Sequence, residues 1–264
     1  MFLHDQGRLE GMVKRNSAFS LVELSIVLVI LGLLVGGILS GQALIRAAEL
    51  RSIATDYSRY ISASHTFRDK YFSPPGDMAN ATAFWGTKAN CGAASPGATG
   101  TCNGNSDGFV NMAAAAGQTG ESFMAWQHLT NAGLIEGQYT GVAGPGATTD
   151  ADYGTNAPRS KLSNGGWQLG ARTSYITGSG VNFDGFWRTW LLISADNNLG
   201  GDPLFSPEEA WNIDTKIDDG KPGRGKAITR YSNCTNAANG ADLDAAYLFA
   251  VPTKVCDLRF IEVF

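Results

Sequence analysis

The chain has 264 residues, a formal net charge of −4, 17% charged residues and four cysteines. That length can bury a sizeable core in one or two domains, while the low, slightly acidic charge excludes a broad nucleic-acid-binding surface. The 33 glycines predict many turns and long loops.

The first eighteen residues are mixed in charge, with Asp5, Arg8 and Glu10 ahead of Lys14 and Arg15. Met12 offers a second start that would leave a short basic leader. From Leu24 to Ile45 no charged residue occurs, and as a helix this run spans about 33 Å, enough for a bilayer core of about 30 Å. Lys14 and Arg15 ahead of it favour a cytoplasmic N-terminus, which puts the body of the chain on the far side. A secretory signal peptide would be shorter in its apolar stretch and followed by a small-residue cleavage site. A plain anchor fits the length but leaves Glu23 unexplained, because a carboxylate in apolar surroundings costs a few kcal/mol unless it is paired.

The string Ala18-Phe19-Ser20-Leu21-Val22-Glu23-Leu24-Ser25 closely resembles the cleavage and methylation motif of type IV prepilins and type II secretion pseudopilins. The resemblance implies a prepilin peptidase cut between Ala18 and Phe19, on the cytoplasmic side, followed by N-methylation of Phe19. It also implies that Glu23 pairs with the N-terminal amine of a neighbouring subunit during filament assembly. Other pilin or pseudopilin subunits and an inner-membrane assembly platform are the further partners implied. Nucleic acid is not indicated. One departure is Ala18, where the family usually has glycine. Gly32, Gly36, Gly37 and Gly41 add small-xxx-small spacings that let helices approach closely in lipid, although glycine is also common in membrane helices generally.

The helix is expected to continue from Arg46 to about Tyr71, since Ile53, Tyr57, Tyr60, Ile61, Phe67 and Tyr71 recur at spacings near three and four. Pro74-Pro75-Gly76 ends it. Further helices are predicted at Glu121–Asn131 and from Ser206 to about Asp219, the second opened by the capping box Ser206-Pro207-Glu208-Glu209. Strands are predicted at Trp167–Leu169, Ser174–Thr177, Phe186–Ser194, Ala246–Val251 and Asp257–Val263. The resulting expectation is an α+β, pilin-like fold: a long N-terminal helix, half membrane and half amphipathic, packed on a C-terminal antiparallel sheet with extra short helices. Its segments are a leader at 1–18, a transmembrane or filament-core helix at 19–45 and an extracytoplasmic head at 46–264.

Cys91, Cys102, Cys234 and Cys256 lack the spacing of a zinc or thioredoxin-like site. Three disulfide connectivities are open, and short loop closure favours Cys91–Cys102 with Cys234–Cys256. Four buried thiols are the alternative. Asn103-Gly104-Asn105-Ser106-Asp107-Gly108 opens like a calcium loop, but its twelfth position is Ala114. Glu121 could close a site with Asn103, Asn105 and Asp107, and calcium loops occur among pseudopilins, yet the same string is also good turn chemistry. Calcium is therefore a candidate, and no cofactor is required. Asp214, Asp218 and Asp219 read as a solvated helix end. Gly220-Lys221-Pro222-Gly223-Arg224-Gly225-Lys226 falls short of a phosphate-binding loop, because Ala227 stands where a hydroxyl should hold magnesium.

These readings point to a structural subunit rather than an enzyme, held in the inner membrane as a precursor with a periplasmic head and carried into a pilus or pseudopilus. The chain is long for a bulk subunit, which favours a minor or specialised one. The alternative is a membrane-tethered extracytoplasmic binding protein or enzyme with a prepilin-like anchor.

Overall fold

In the computed structural model the described residues are 20–87, 91, 100–112, 116–171, 175–176, 182–195, 202–230, 232–261 and 263. The chain divides into two units, Met1–Ala47 and Ala48–Phe264. Helix α1, Leu21–Tyr71, begins in the first unit and ends in the second.

In the first unit the helix is apolar all round, and its leucines, isoleucines and valines are exposed. Among the described residues α1 is the one helix long and apolar enough to cross a membrane, and none of its apolar window is buried within the chain.

The second unit forms around the amphipathic part of α1. Ile53, Tyr60 and Phe67 are buried, with Tyr57 and Tyr71 half-buried on the same stripe, as the helical spacing requires. Proline after Tyr71 removes a helical donor, and Phe72 leaves the helix with a left-handed backbone, φ 55°. That conformation costs a phenylalanine about 1–2 kcal/mol relative to a right-handed one. A short helix α2, Ala81–Trp85, follows, then α3, Glu121–Asn131, which Gly133 stops with φ 71°.

Strands β1 (Gly166–Ala171), β2 (Thr189–Ser194), β3 (Ala227–Ile228) and β4 (Leu258–Ile261) form one antiparallel sheet in the order β1-β2-β4-β3. Helix α4, Pro207–Ile217, lies between β2 and β3 in the chain. The pleat divides the strand residues between two cores. Trp167, Leu169, Leu191, Ile193, Leu258 and Phe260 join the core that contains the α1 and α3 side chains. Tyr57 meets Phe260 with ring centroids 4.5 Å apart, and Tyr60 meets Trp167 at 5.5 Å. Trp190, Leu192 and Ile228 join Ile176, Phe183, Trp187 and Ala245 in a second core on the other face. Because both faces are covered, β2 is buried along its whole length, which explains its continuous apolar run.

The α+β architecture holds, with differences in its strands, one of which is that β4 is shorter than the expected Asp257–Val263. Ala246–Val251 is not a strand: only Tyr247 forms a bridge, to Thr235. Its side chain is committed instead to a buried carboxyl on α4. Phe186–Ser194 pairs only from Thr189 onward. Of Ser174–Thr177, the ends lie outside the described residues and Ile176 forms a single bridge to Gly185. Strand β3 carries too few residues to display a period.

Candidate functional site

The candidate assembly site begins at the first described residue. Ser20 precedes α1, and its hydroxyl accepts from the Val22 amide at 3.3 Å, while the Ser20 amide donates to Glu23 Oε2 at 2.9 Å. Two amides at an open helix end are thereby satisfied, one by each side chain, as in a capping box. Glu23 is exposed in the isolated chain and sits at the head of the uncovered apolar helix. A carboxylate there gains from the helix N-terminus but still needs a cation once water is excluded. The cleavage and methylation positions Ala18 and Phe19 lie outside the described residues. At Gly32, Gly36, Gly37 and Gly41 an added Cβ would meet nothing within 4 Å, so the helix surface is open at each of them.

A second candidate lies in the head, where Asp77, Asp107 and Glu121 bring carboxylate oxygens within 4.8 Å of one another. Glu121 stands in the first turn of α3, a favourable place for an anion. Its two oxygens accept from the Asn105 and Asn111 amides, both at 2.9 Å. Asp77 accepts from the Asp107 amide at 3.1 Å and the Gly108 amide at 2.9 Å. Gly104 makes this possible: a Cβ there would overlap the backbone of Gly76 and Asp77. Burial raises the Asp77 and Glu121 carboxyls above their ordinary range, against the amides that lower them. Asp107 is almost free of burial, and bonds from Phe109, Asn111 and Asn105 hold it below that range.

Of the residues singled out for calcium, Asp107 and Glu121 converge. Asn105 side-chain atoms bond to Asp107 at 2.9 and 3.0 Å. Asn103 does not join them, because its Oδ1 accepts from the Thr82 amide at 2.9 Å in the first turn of α2. Asp77 replaces it, and the local pattern missed that residue because it lies thirty positions upstream of Asp107. The available signal was an acid directly after the Pro74-Pro75-Gly76 turn.

The Asp214, Asp218 and Asp219 group departs from the solvated helix end read in the sequence. Asp214 is fully buried; its carboxyl accepts from the Tyr247 hydroxyl at 2.8 Å and the Gly220 amide at 3.2 Å. Burial and the two neighbouring carboxylates push it up to about 7, against those two bonds. Asp218 accepts from the Lys226 and Ala227 amides and so fixes the turn that leads into β3. Tyr247 was not recognisable as a partner, because an apolar neighbourhood made it resemble a strand residue.

The cysteines pair as short loop closure favours. Cys91–Cys102 and Cys234–Cys256 are bonded, with Cα atoms 5.6 and 5.2 Å apart. His128 is fully buried on α3; its Nδ1 accepts from the Gly76 amide at 3.0 Å, so Nε2 carries the proton toward Thr101 Oγ1, also at 3.0 Å. Burial depresses this imidazole to about 4 and keeps it neutral, which makes it a tie between segments.

Residues 13–39 match a family model described as the prokaryotic N-terminal methylation motif. No curated protein and no solved structure matches the chain. The match spans Glu23 and most of the uncovered apolar run, and a long N-terminal helix followed by a four-stranded antiparallel sheet accompanies it.

Proposed function

We propose that this chain, a protein of the type IV prepilin and pseudopilin type, is a structural rather than catalytic subunit of a pilus or secretion pseudopilus, in a minor or specialised role. The observation that carries the reading is Glu23, held at the entrance of an apolar helix left uncovered among the described residues, within the matched motif. In this reading prepilin peptidase cuts between Ala18 and Phe19, and the new amine is methylated. Glu23 then pairs with the amine of a neighbouring subunit, which removes the cost of leaving either charge alone in apolar surroundings. Before assembly the helix anchors the precursor in the inner membrane. Lys14 and Arg15 and the two disulfides support a head on the periplasmic side. The absence of proline between Leu24 and Ile45 favours the pseudopilus.

Mass spectrometry of the mature N-terminus tests this directly. A methylated Phe19 is expected, whereas an intact Met1 or Met12, or a cut beyond the apolar helix, would leave a tethered binding protein or enzyme as the better account. Glu23→Ala should insert in the membrane normally and enter filaments poorly beside the wild type. Normal incorporation would remove the pairing role.

A second reading concerns calcium. Three converging carboxylates, two of them buried, favour a hard divalent cation, and each oxygen of Asp77 and Glu121 keeps a lone pair beyond its amide bond. Asp77, Asp107 and Glu121 would be its ligands. Calcium should then raise the melting temperature, and Asp77→Asn should abolish that rise. An unchanged melt on calcium addition ends the idea.

A further inference from the structure

Just beyond the turn that ends α1, one asparagine has no structural role. Asn80 stands at the N-cap of α2, a position that favours asparagine because its side-chain oxygen can take an amide of the first turn. Asn80 makes no such bond: the Thr82 amide donates instead to Asn103 Oδ1 at 2.9 Å, twenty-one residues further along the chain. The Asn80 carboxamide is left exposed, with no hydrogen bond to any described residue.

Asn80-Ala81-Thr82 is also an N-x-Thr string, the acceptor pattern for an N-linked glycan. Such strings arise by chance as well, and access separates an acceptor from a bystander. The chain holds one other, Asn233-Cys234-Thr235. There Cys234 is fully buried in its disulfide, and Thr235 is buried with its hydroxyl accepting from the Ala237 amide at 3.2 Å. A transferase needs the amide nitrogen together with the hydroxyl two residues on, and the folded head withholds that second hydroxyl. Thr82 is only half-buried, and its hydroxyl bonds to no described residue. Helix α2 has five residues, too few to be stable alone, so the string can open into an active site at little cost.

Phe84 gives a sugar at this place something to pack on. It follows Asn80 by four residues and so shares its side of α2. Tyr71 and Trp85 meet its ring at 5.2 and 5.9 Å, yet 55% of the residue stays exposed. We infer that Asn80 is an N-glycosylation site whose first sugar covers Phe84. The donor is a lipid-linked oligosaccharyl diphosphate. Asn80 Nδ2 attacks C1 of its first sugar, the C1–O bond to the diphosphate breaks, and the lipid diphosphate leaves. The amide gives up one proton to a base of the transferase, and nothing is oxidised or reduced. This rests on the reading above that places the head on the periplasmic side, where such a donor presents its glycan.

The test is mass spectrometry of the full chain purified from the cells that make it. A glycan mass is expected on the peptide that holds Asn80 and none on the peptide that holds Asn233. Asn80→Gln and Thr82→Ala should each remove it, whereas Thr82→Ser, which keeps the hydroxyl, should retain it. Loss of the glycan in Asn80→Gln should lower the head's melt by about 2–4 °C, and the same substitution beside Phe84→Ala should change it little. Protease added to spheroplasts reports the side of the head independently. An unmodified Asn80 on a head that the protease digests would overturn the site alone. An unmodified Asn80 on a protected head would count against the site and the periplasmic reading together. A glycan on Asn233 instead, or one that survives Thr82→Ala, would overturn the assignment, and equal melt shifts with and without Phe84 would overturn the contact.

Discussion

The stretch from Leu21 to Ala47 and the head from Ala48 onward use apolar residues in opposite ways. In the first, nearly every leucine, isoleucine and valine is exposed, whereas in the second the large apolar side chains are mostly buried in two cores on either face of a sheet. The backbone of the first is satisfied within its own helix, so it tolerates hydrocarbon but requires an external partner for its side chains. The head closes its own core and adds two disulfides. The difference teaches that the surface left open for a partner or bilayer and the core that closes on itself belong to separate parts of one chain, and that substitutions in the two should have separable effects.

The largest expected effect on the head comes from the buried Cys234–Cys256 bond. Replacing both cysteines by serine should cost about 3 kcal/mol, measured by chemical denaturation, with partition into membranes unchanged. Leu31→Asp should do the reverse, weakening membrane retention while leaving the head's melt alone. A shared response to either substitution would break the comparison.

A somewhat smaller effect should follow pH. The buried Asp214 carboxyl is raised to about 7, so its contribution is complete below the unfolded value near 3.8 and is lost as pH rises toward 7 and beyond. Between about pH 5 and pH 8 the loss is roughly 2 to 3 kcal/mol. Asp214→Asn, which keeps an acceptor for Tyr247, should match the wild type at the acidic end and exceed it at the alkaline end. His128 acts in the other direction: its depressed imidazole gives stability that is lost as pH falls from about 6.5 toward 4. Between about pH 4 and 6.5 the two slopes are opposite and nearly cancel in the wild type, so they are read by difference: an Asp214→Asn melt that rises with pH across this window, beside a nearly flat wild type, would agree with both. Parallel profiles of the two proteins would contradict the Asp214 contribution.

The smallest effect sharpens the comparison at the most exposed of the head's large apolar side chains, Phe72. Phe72→Gly should stabilise the isolated head by about 1 kcal/mol in chemical denaturation, because glycine accepts the left-handed backbone without strain. Destabilisation would mean that the ring packs within the chain after all.

Much of this was legible in the residues because local signals decided it. The end of α1 follows from Pro74-Pro75, α3 from its apolar spacing, and the start of α4 from Ser206 and Glu209, whose reciprocal bonds are present at 3.3 and 3.0 Å. The candidate assembly residue Glu23 stood out for a similar reason, as one charge against an uncharged background. What escaped was set by distance along the chain. Asp77 reaches Asp107 from across the loop that follows α2, and Tyr247 reaches Asp214 from the disulfide-closed loop. Ala246–Val251 had the composition of a strand, and only the tertiary demand of Asp214 shows why Tyr247 points elsewhere. Strand β3 exists because β4 offers it an edge, which nothing in Ala227 and Ile228 could announce.

The sheet order β1-β2-β4-β3 has a consequence for timing. β4 is the last of the four strands to leave the ribosome, yet it sits between β2 and β3 and supplies Phe260 to the core beneath α1. β3 has no strand neighbour until β4 arrives, and β2 lacks one of its two. The apolar helix is therefore made, and can enter the bilayer, while the head is still an open chain. In the proposed topology the head would cross the bilayer unfolded and close on the far side, after synthesis and where its cysteines can oxidise.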